Sequence, residues 1–392
     1  MAADASRLTG NWNYPTAVRF GAGRLKELGD ICKEAGMKNP LLVTDPGLAG
    51  LPMIAEAQAV CKEAGLGFGL FSDVKPNPIG KNVDDGVAVY KAGDHDGVIA
   101  FGGGSGLDAA KAVALMANQS AALFDLNDED WENIPASKIP PIIAVPTTSG
   151  TGSEVGRASV ITNDAVHVKR IVFNPKMMPS VVLADPALTL GLPQKITAAT
   201  GMDALSHNLE AFCAPSFHPM AEGIAIEGIR LVKEYLPAAC KDGTDLVARS
   251  QMMIASSMGA TAFQRGLGGM HALAHPLGAL YDAHHGMLNA ILMPYVLIRN
   301  RPVIEGRIAR LSAYLGLEEA SFDGFLSWIL ALRAELDIPN DLSALAIDTS
   351  KAKLVGKMAE VDPSAGGNPI PLSASDYSRL FEAAVTGNLA IG

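Results

Sequence analysis

The sequence predicts two domains, an α/β domain built on a parallel sheet and, after it, an all-helical domain. Three observations predict this. At ~100–200 residues per domain, 392 residues make two domains. Up to about residue 190, short apolar runs alternate with helical stretches. From Ala198 onward the strand pattern stops and the apolar residues follow a helical period, broken by short Gly, Pro and Asn loops.

The elements follow in order. Pro40-Leu41-Leu42-Val43-Thr44-Asp45 reads as a buried strand running into a turn at Pro46-Gly47. Gly97–Phe101, Pro141–Val145 and Val181–Ala184 read the same way. Runs that are apolar throughout belong to a parallel sheet covered on both faces, because a sheet with one wet face would alternate. Helical stretches such as Gly23–Ala35 and Val83–Ala92 supply the cover. The boundary falls between Leu190 and Gln194, giving domains 1–190 and 191–392.

Composition narrows the class. Lys and Arg number 31 against 41 Asp and Glu, a net charge of −10. A nucleic-acid binder needs a basic face to displace phosphate counterions, so none is expected as a partner. Charged residues make up 18% of the chain, below the usual ~25%. Mean hydropathy is +0.21, yet no stretch approaches the ~18 apolar residues of a membrane span. The surplus apolar surface belongs in a large core and in a subunit interface. Met1–Gly10 has no apolar core of a signal peptide. Cys32, Cys61, Cys213 and Cys240 are scattered, as reduced thiols of a cytoplasmic protein are.

Two loops at strand ends invite a phosphate. Gly102-Gly103-Gly104-Ser105-Gly106-Leu107-Asp108 follows the strand at Phe101 and opens a helix. Without Cβ atoms, backbone N–H groups approach an anion closely, and the helix points its positive end at the same spot. The sixth position is Leu107, so the usual dinucleotide fingerprint is absent, and no Gly-Lys-Ser/Thr makes it a P-loop. A turn serving only strand–helix packing is the plainer alternative. The second loop, Pro146–Glu154, offers hydroxyls from Thr147, Thr148 and Thr151. Asp45 ends its strand where an acidic side chain holds a ribose 2′-OH and repels a 2′-phosphate, which favours NAD over NADP. A simple turn former would explain it too.

Six of the eight histidines lie between His207 and His285. Asp203 and His207 are four apart, as are His271 and His275, and His284-His285 follows. Residues four apart share one helix face. A lone histidine in an apolar helix is ordinary core, but five with an aspartate at these spacings form a metal set. Imidazole and carboxylate donors suit Fe(II) or Zn(II) rather than Ca²⁺ or Mg²⁺. Spacing leaves open which of His271 and His275, and which of His284 and His285, binds. It also leaves open a hydrolytic site with metal-activated water.

The chain resembles the iron-containing (group III) alcohol dehydrogenase family over nearly its whole length. The resemblance rests on Gly102–Ser105 with Asp108 and Lys111, on Pro146-Thr147-Thr148 through Gly152-Ser153-Glu154, and on Gly201-Met202-Asp203-Ala204 with His207. Its strongest part is His271-Ala272-Leu273-Ala274-His275-Pro276-Leu277-Gly278 with His285-Gly286 after it. The resemblance implies a Rossmann-like α/β N-terminal domain and an all-α C-terminal domain with the active site in the cleft. It implies that Asp203, His207, His271 and His285 bind the metal, Fe(II) first and Zn(II) second, and that His275 handles a proton. It implies that Asp45, Gly102, Gly103, Gly104, Ser105, Asp108, Thr147, Thr148, Thr151 and Lys169 serve NAD. The expected reaction is hydride transfer between a small primary alcohol or hydroxy acid and NAD(H), in a homodimer or larger assembly. His284, His95, His167 and His218 receive no role.

Relatives of that family carry small polar residues where this chain has Gln264 and Arg265. Arg265 either recruits an anionic substrate or faces solvent or a helix end. Two rival activities share parts of the pattern. A lyase of the dehydroquinate synthase type would carry a cluster of basic phosphate-binding residues, which this sequence lacks. A metal-dependent hydrolase would leave the glycine loops without a ligand.

Overall fold

The computed structural model describes residues 16–166 and 168–390, so His167 lies outside the described residues. The chain divides into two compact units between Gly191 and Leu192.

Among the described residues the first unit holds eight strands. They are β1 (Ala17–Phe20), β2 (Pro40–Val43), β3 (Gly69–Phe71), β4 (Gly97–Gly102), β5 (Ile142–Pro146), β6 (Ala158–Asn163), β7 (Val168–Phe173) and β8 (Val181–Ala184). Six form one sheet in the order β1-β8-β5-β4-β2-β3, every pairing parallel. Its helices are α1 (Leu28–Glu34), α2 (Pro46–Ala49), α3 (Pro52–Glu63), α4 (Gly80–Ala92), α5 (Gly104–Met116) and α6 (Asp128–Asn133). Every residue of β2, β4 and β5 is buried, the condition that makes a strand read as an unbroken apolar run. These are the strands legible in the sequence, together with β8.

The other four were not. β1 lies at a sheet edge with Val18 and Phe20 exposed, and β3 is a three-residue edge strand. β6 and β7 form an antiparallel hairpin apart from the main sheet, pairing Thr162 with Lys169. A half-wet hairpin carrying Lys169 and Arg170 presents no continuous apolar run.

The second unit is helical: α7 (Gln194–Cys213), α8 (Pro219–Lys241), α9 (Leu246–Ala262), α10 (Gly269–Tyr281), α11 (His285–Tyr314), α12 (Phe322–Glu335), α13 (Ala352–Glu360) and α14 (Ala374–Thr386). The helical period read from Ala198 onward begins earlier, at Gln194, behind Pro193. Its stretch Thr197–Cys213 is buried on every side, so no polar face marks where it starts. One core of alanine, leucine, isoleucine and methionine side chains runs through these helices.

Candidate active site

The two glycine-bearing loops of the first unit pack on each other. Gly102 adopts φ +146°, which residues with a side chain rarely take. A Cβ on Gly103 would stand 3.2 Å from Thr148 Cγ2, and one on Gly104 would stand 2.5 Å from Thr151 Cγ2. The missing side chains thus let the second loop lie against the first, where the Thr147 N–H donates to Gly102 O at 2.9 Å. Asp45 closes the next strand end. Its Oδ1 accepts from the N–H groups of Gly47 (2.8 Å) and Leu48 (3.1 Å), and its Oδ2 lies 3.7 Å from a Cβ position on Gly102. Ser105 donates to Pro76 O, and Lys169 Nζ donates to Asn77 Oδ1 at 2.9 Å, so both flank the 76–77 segment.

Asp108 does something different. Its Oδ2 accepts from Val160 N at 2.9 Å, its Oδ1 from the Ser153 hydroxyl, and Lys111 Nζ stands 3.3 Å away. Lys111 is fully buried and donates to Ser153 O at 3.0 Å. Burial holds its ammonium below the ordinary lysine range against the pull of Asp108 and Glu154. The two residues lock the second loop to α5 from beneath. Beside the loops, the buried hydroxyls of Thr44 and Ser149 have no hydrogen-bond partner.

In the helical unit, α7 presents Asp203, His207 and Glu210 along one face, at i, i+4 and i+7. Each of Asp203, His207, His271 and His285 offers one ligand atom, and the four atoms lie within 4.8 Å of one another. The His207 and His271 rings stack with centroids 4.7 Å apart, and His285 Nε2 stands 3.6 Å from Asp203 Oδ1. Gly286 permits this, since a Cβ there would stand 2.3 Å from Ala199 O of α7.

Around the four lie buried polar partners. Glu210 Oε2 is 2.6 Å from His271 Nδ1, and Oε1 accepts from Met270 N at 2.7 Å. Asn289, one turn after His285, places Nδ2 at 2.8 Å from Asp203 Oδ1, 3.2 Å from His271 Nε2 and 3.1 Å from His285 Nε2. His275, one turn after His271, stacks on His285 at 5.5 Å and holds Nδ1 2.9 Å from Asp362 Oδ2. Burial works against the His271 imidazolium, but Glu210, with Asp203 and Asp362, outweighs it and raises the pKa. Burial likewise opposes the Asp362 carboxylate, and His275 with Ser364 brings its pKa below the ordinary value.

The family model for iron-containing alcohol dehydrogenase matches residues 15–186, and that for the Fe-containing alcohol dehydrogenase family, C-terminal, matches residues 197–385. The chain belongs to the iron-containing alcohol dehydrogenase family. It is 37% identical to 4-hydroxybutyrate dehydrogenase of Cupriavidus necator over 94% of this chain and 98% of that one. The crystal structure of a 1,3-propanediol oxidoreductase superposes with TM-score 0.89 at 33% identity, covering 96% of this chain and 100% of the other. Sulfoacetaldehyde reductase from Bifidobacterium kashiwanohense, in complex with NAD⁺, superposes with TM-score 0.87 at 28% identity over 96% and 98%. Like the family, this chain is an alcohol dehydrogenase, an oxidoreductase.

Within this dehydrogenase Arg265 takes the helix-end alternative. It is buried, its guanidinium donates to the carbonyls of Ser216 (2.8 Å) and Phe212 (3.0 Å), and it pairs with Glu222 at 3.0 Å. A guanidinium spent on the last carbonyls of α7 does not recruit substrate. His284 and His218 are N-caps of α11 and α8, and His95 Nδ1 contacts Asn39 O at 2.9 Å. Glu210, Asn289 and Asp362 escaped the sequence reading. The first two had a signal, their helical spacing from His207 and from His285. Asp362 had none, because it comes from a separate segment 87 positions beyond His275.

Proposed function

We propose that this chain is a metal-dependent, NAD(H)-linked dehydrogenase of small primary alcohols or hydroxy acids. One observation carries the reading: Asp203, His207, His271 and His285 converge within 4.8 Å in a chain of this family. Three imidazoles and a carboxylate without a thiolate accept Fe(II) or Zn(II), and membership of the iron-containing family puts Fe(II) first. The unpartnered, buried Thr44 and Ser149 hydroxyls at the strand ends fit a dinucleotide. The metal, when bound, polarises the substrate oxygen, and NAD exchanges the hydride.

The remaining work falls to side chains. Asp362 accepts from His275 Nδ1, so proton exchange with substrate belongs to Nε2. Asp45, Gly102, Gly103, Gly104, Ser105, Thr147, Thr148, Thr151 and Lys169 hold the dinucleotide, Asp45 at the ribose. Asp108 stands behind them as the residue that fixes the second loop. Residues 1–190 thus serve the cofactor and 191–392 the metal. The relatives named for 4-hydroxybutyrate and 1,3-propanediol support a small substrate with a primary hydroxyl. The four cysteines are buried and free, in keeping with a reducing cytoplasm, and no helix among the described residues is long and apolar enough to cross a membrane. The low charge supports a homodimer or larger assembly.

The test is absorbance at 340 nm with protein loaded separately with Fe(II) and Zn(II), NAD or NADP, and a panel of alcohols and hydroxy acids. A rise with NAD that needs the metal is expected. A flat trace across the panel with both metals refutes the reading.

A further inference from the structure

Glu210 stands on the ligand face of α7 yet lies outside the converging four. It is 5% exposed, and a buried carboxylate is expensive unless its oxygens are occupied. Both are. Oε1 takes the Met270 N–H at 2.7 Å, and Oε2 stands 2.6 Å from His271 Nδ1. Met270 is the second residue of α10, so this N–H is one that the helix itself cannot satisfy. A single carboxylate therefore touches both the start of α10 and the ring of its first histidine.

The second effect matters for the site. An ionised carboxylate only accepts, so the proton of neutral His271 sits on Nδ1 and the lone pair on Nε2. Nε2 is the atom that faces the cluster, 3.2 Å from Asn289 Nδ2 beside Asp203 and His285. The other tautomer would aim an N–H at the metal position and a lone pair at a carboxylate. We infer that Glu210 is a positioning residue of the metal centre, presetting His271 Nε2 as the ligand atom before metal arrives. The inference rests on the reading of these four residues as metal ligands.

Asn368 provides the control, since its Oδ1 accepts from Gly269 N at 3.0 Å and so holds the same helix start without touching a ring of the cluster. The full-length apoprotein is titrated with Zn(II) against a chromophoric chelator, and its Tm is measured. The imidazole nitrogens are followed by ¹H–¹⁵N correlation. Glu210→Gln should weaken Zn(II) binding by ~10–100-fold, the usual loss when an outer carboxylate partner of a ligating histidine is changed. It should also mix the two His271 tautomers. Asn368→Ala should lower Tm and leave the Kd near wild type. If Glu210→Gln behaves like Asn368→Ala, Glu210 is a helix anchor and the inference fails alone. A wild type that takes up no metal sinks the ligand reading with it. Should Glu210→Gln not fold, Glu210→Asp keeps the charge at a shorter reach. It should weaken binding and retain the Nδ1 proton, and wild-type affinity without that proton overturns the idea.

Discussion

The glycine loops of the α/β unit and the histidine cluster of the helical unit are built by opposite means. The loops work by missing side chains: Gly103 and Gly104 let Thr148 and Thr151 come close. The cluster works by side chains whose unused atoms are occupied, His271 by Glu210 and His275 by Asp362. A flexible, diffuse anion suits many equivalent donors, whereas a metal demands a few atoms held in place. Damage to the first should follow added volume, and damage to the second should follow lost charge.

The largest effect is expected from Asp203→Ala. It removes the one carboxylate of the four and should weaken metal binding beyond the ~10–100-fold of an outer-shell change. Activity should fall to background while far-UV circular dichroism holds, and full activity would refute the assignment. Arg265→Ala comes next. It strips donors from buried carbonyls at the end of α7 and should cost about 2 kcal/mol in a denaturant titration. It should lower kcat/KM for charged and neutral alcohols by the same factor; a selective loss on anionic substrates would restore a recruiting role.

Gly104→Ala tests the loops by volume alone. Its Cβ meets Thr151 at 2.5 Å, and NADH affinity by fluorescence should drop about tenfold, or ~1.4 kcal/mol, with the Zn(II) Kd unchanged. Asp45→Ala removes the cap of α2, worth ~1 kcal/mol, and should narrow the preference for NAD over NADP. An unaltered preference would leave Asp45 a capping residue. The smallest effect lies at the start of α14. The Ser373 hydroxyl and backbone N–H, with Arg299 and Arg379, bring the Asp376 pKa down to about 2. The unfolded value is ~3.9, so this stabilisation is present above that pH and is lost as pH falls toward the folded value. The Tm gap between wild type and Asp376→Asn should therefore close between pH 4 and 2.

Legibility followed burial and spacing. β2, β4, β5 and β8 could be read because buried parallel strands are apolar throughout, and β1, β3 and the β6–β7 hairpin could not because their faces are wet or short. Asp203 with His207 showed as a chelating pair because a helix converts a spacing of four into adjacency. Glu210, three residues after His207, lies on the same helix face and passed unnoticed beside its neighbours. Asp108 matched the loop motif, but its oxygens turn out to be bound to Val160 and Ser153 inside the unit.

What the sequence determined by itself was therefore local: which stretches are buried strands, which loops lack side chains, and which candidate ligands share a helix turn. These follow from periodicity, and periodicity is a property of neighbours in the chain. Tertiary structure decided everything that joins distant segments. It brought Asp362 to His275, set Glu210 against the start of α10, and turned Arg265 onto the end of α7. It also separated the histidines that spacing could not. His285, the first helical residue of α11, enters the cluster beside Asp203 of α7, while His284 stands in extended backbone just before it and caps the helix.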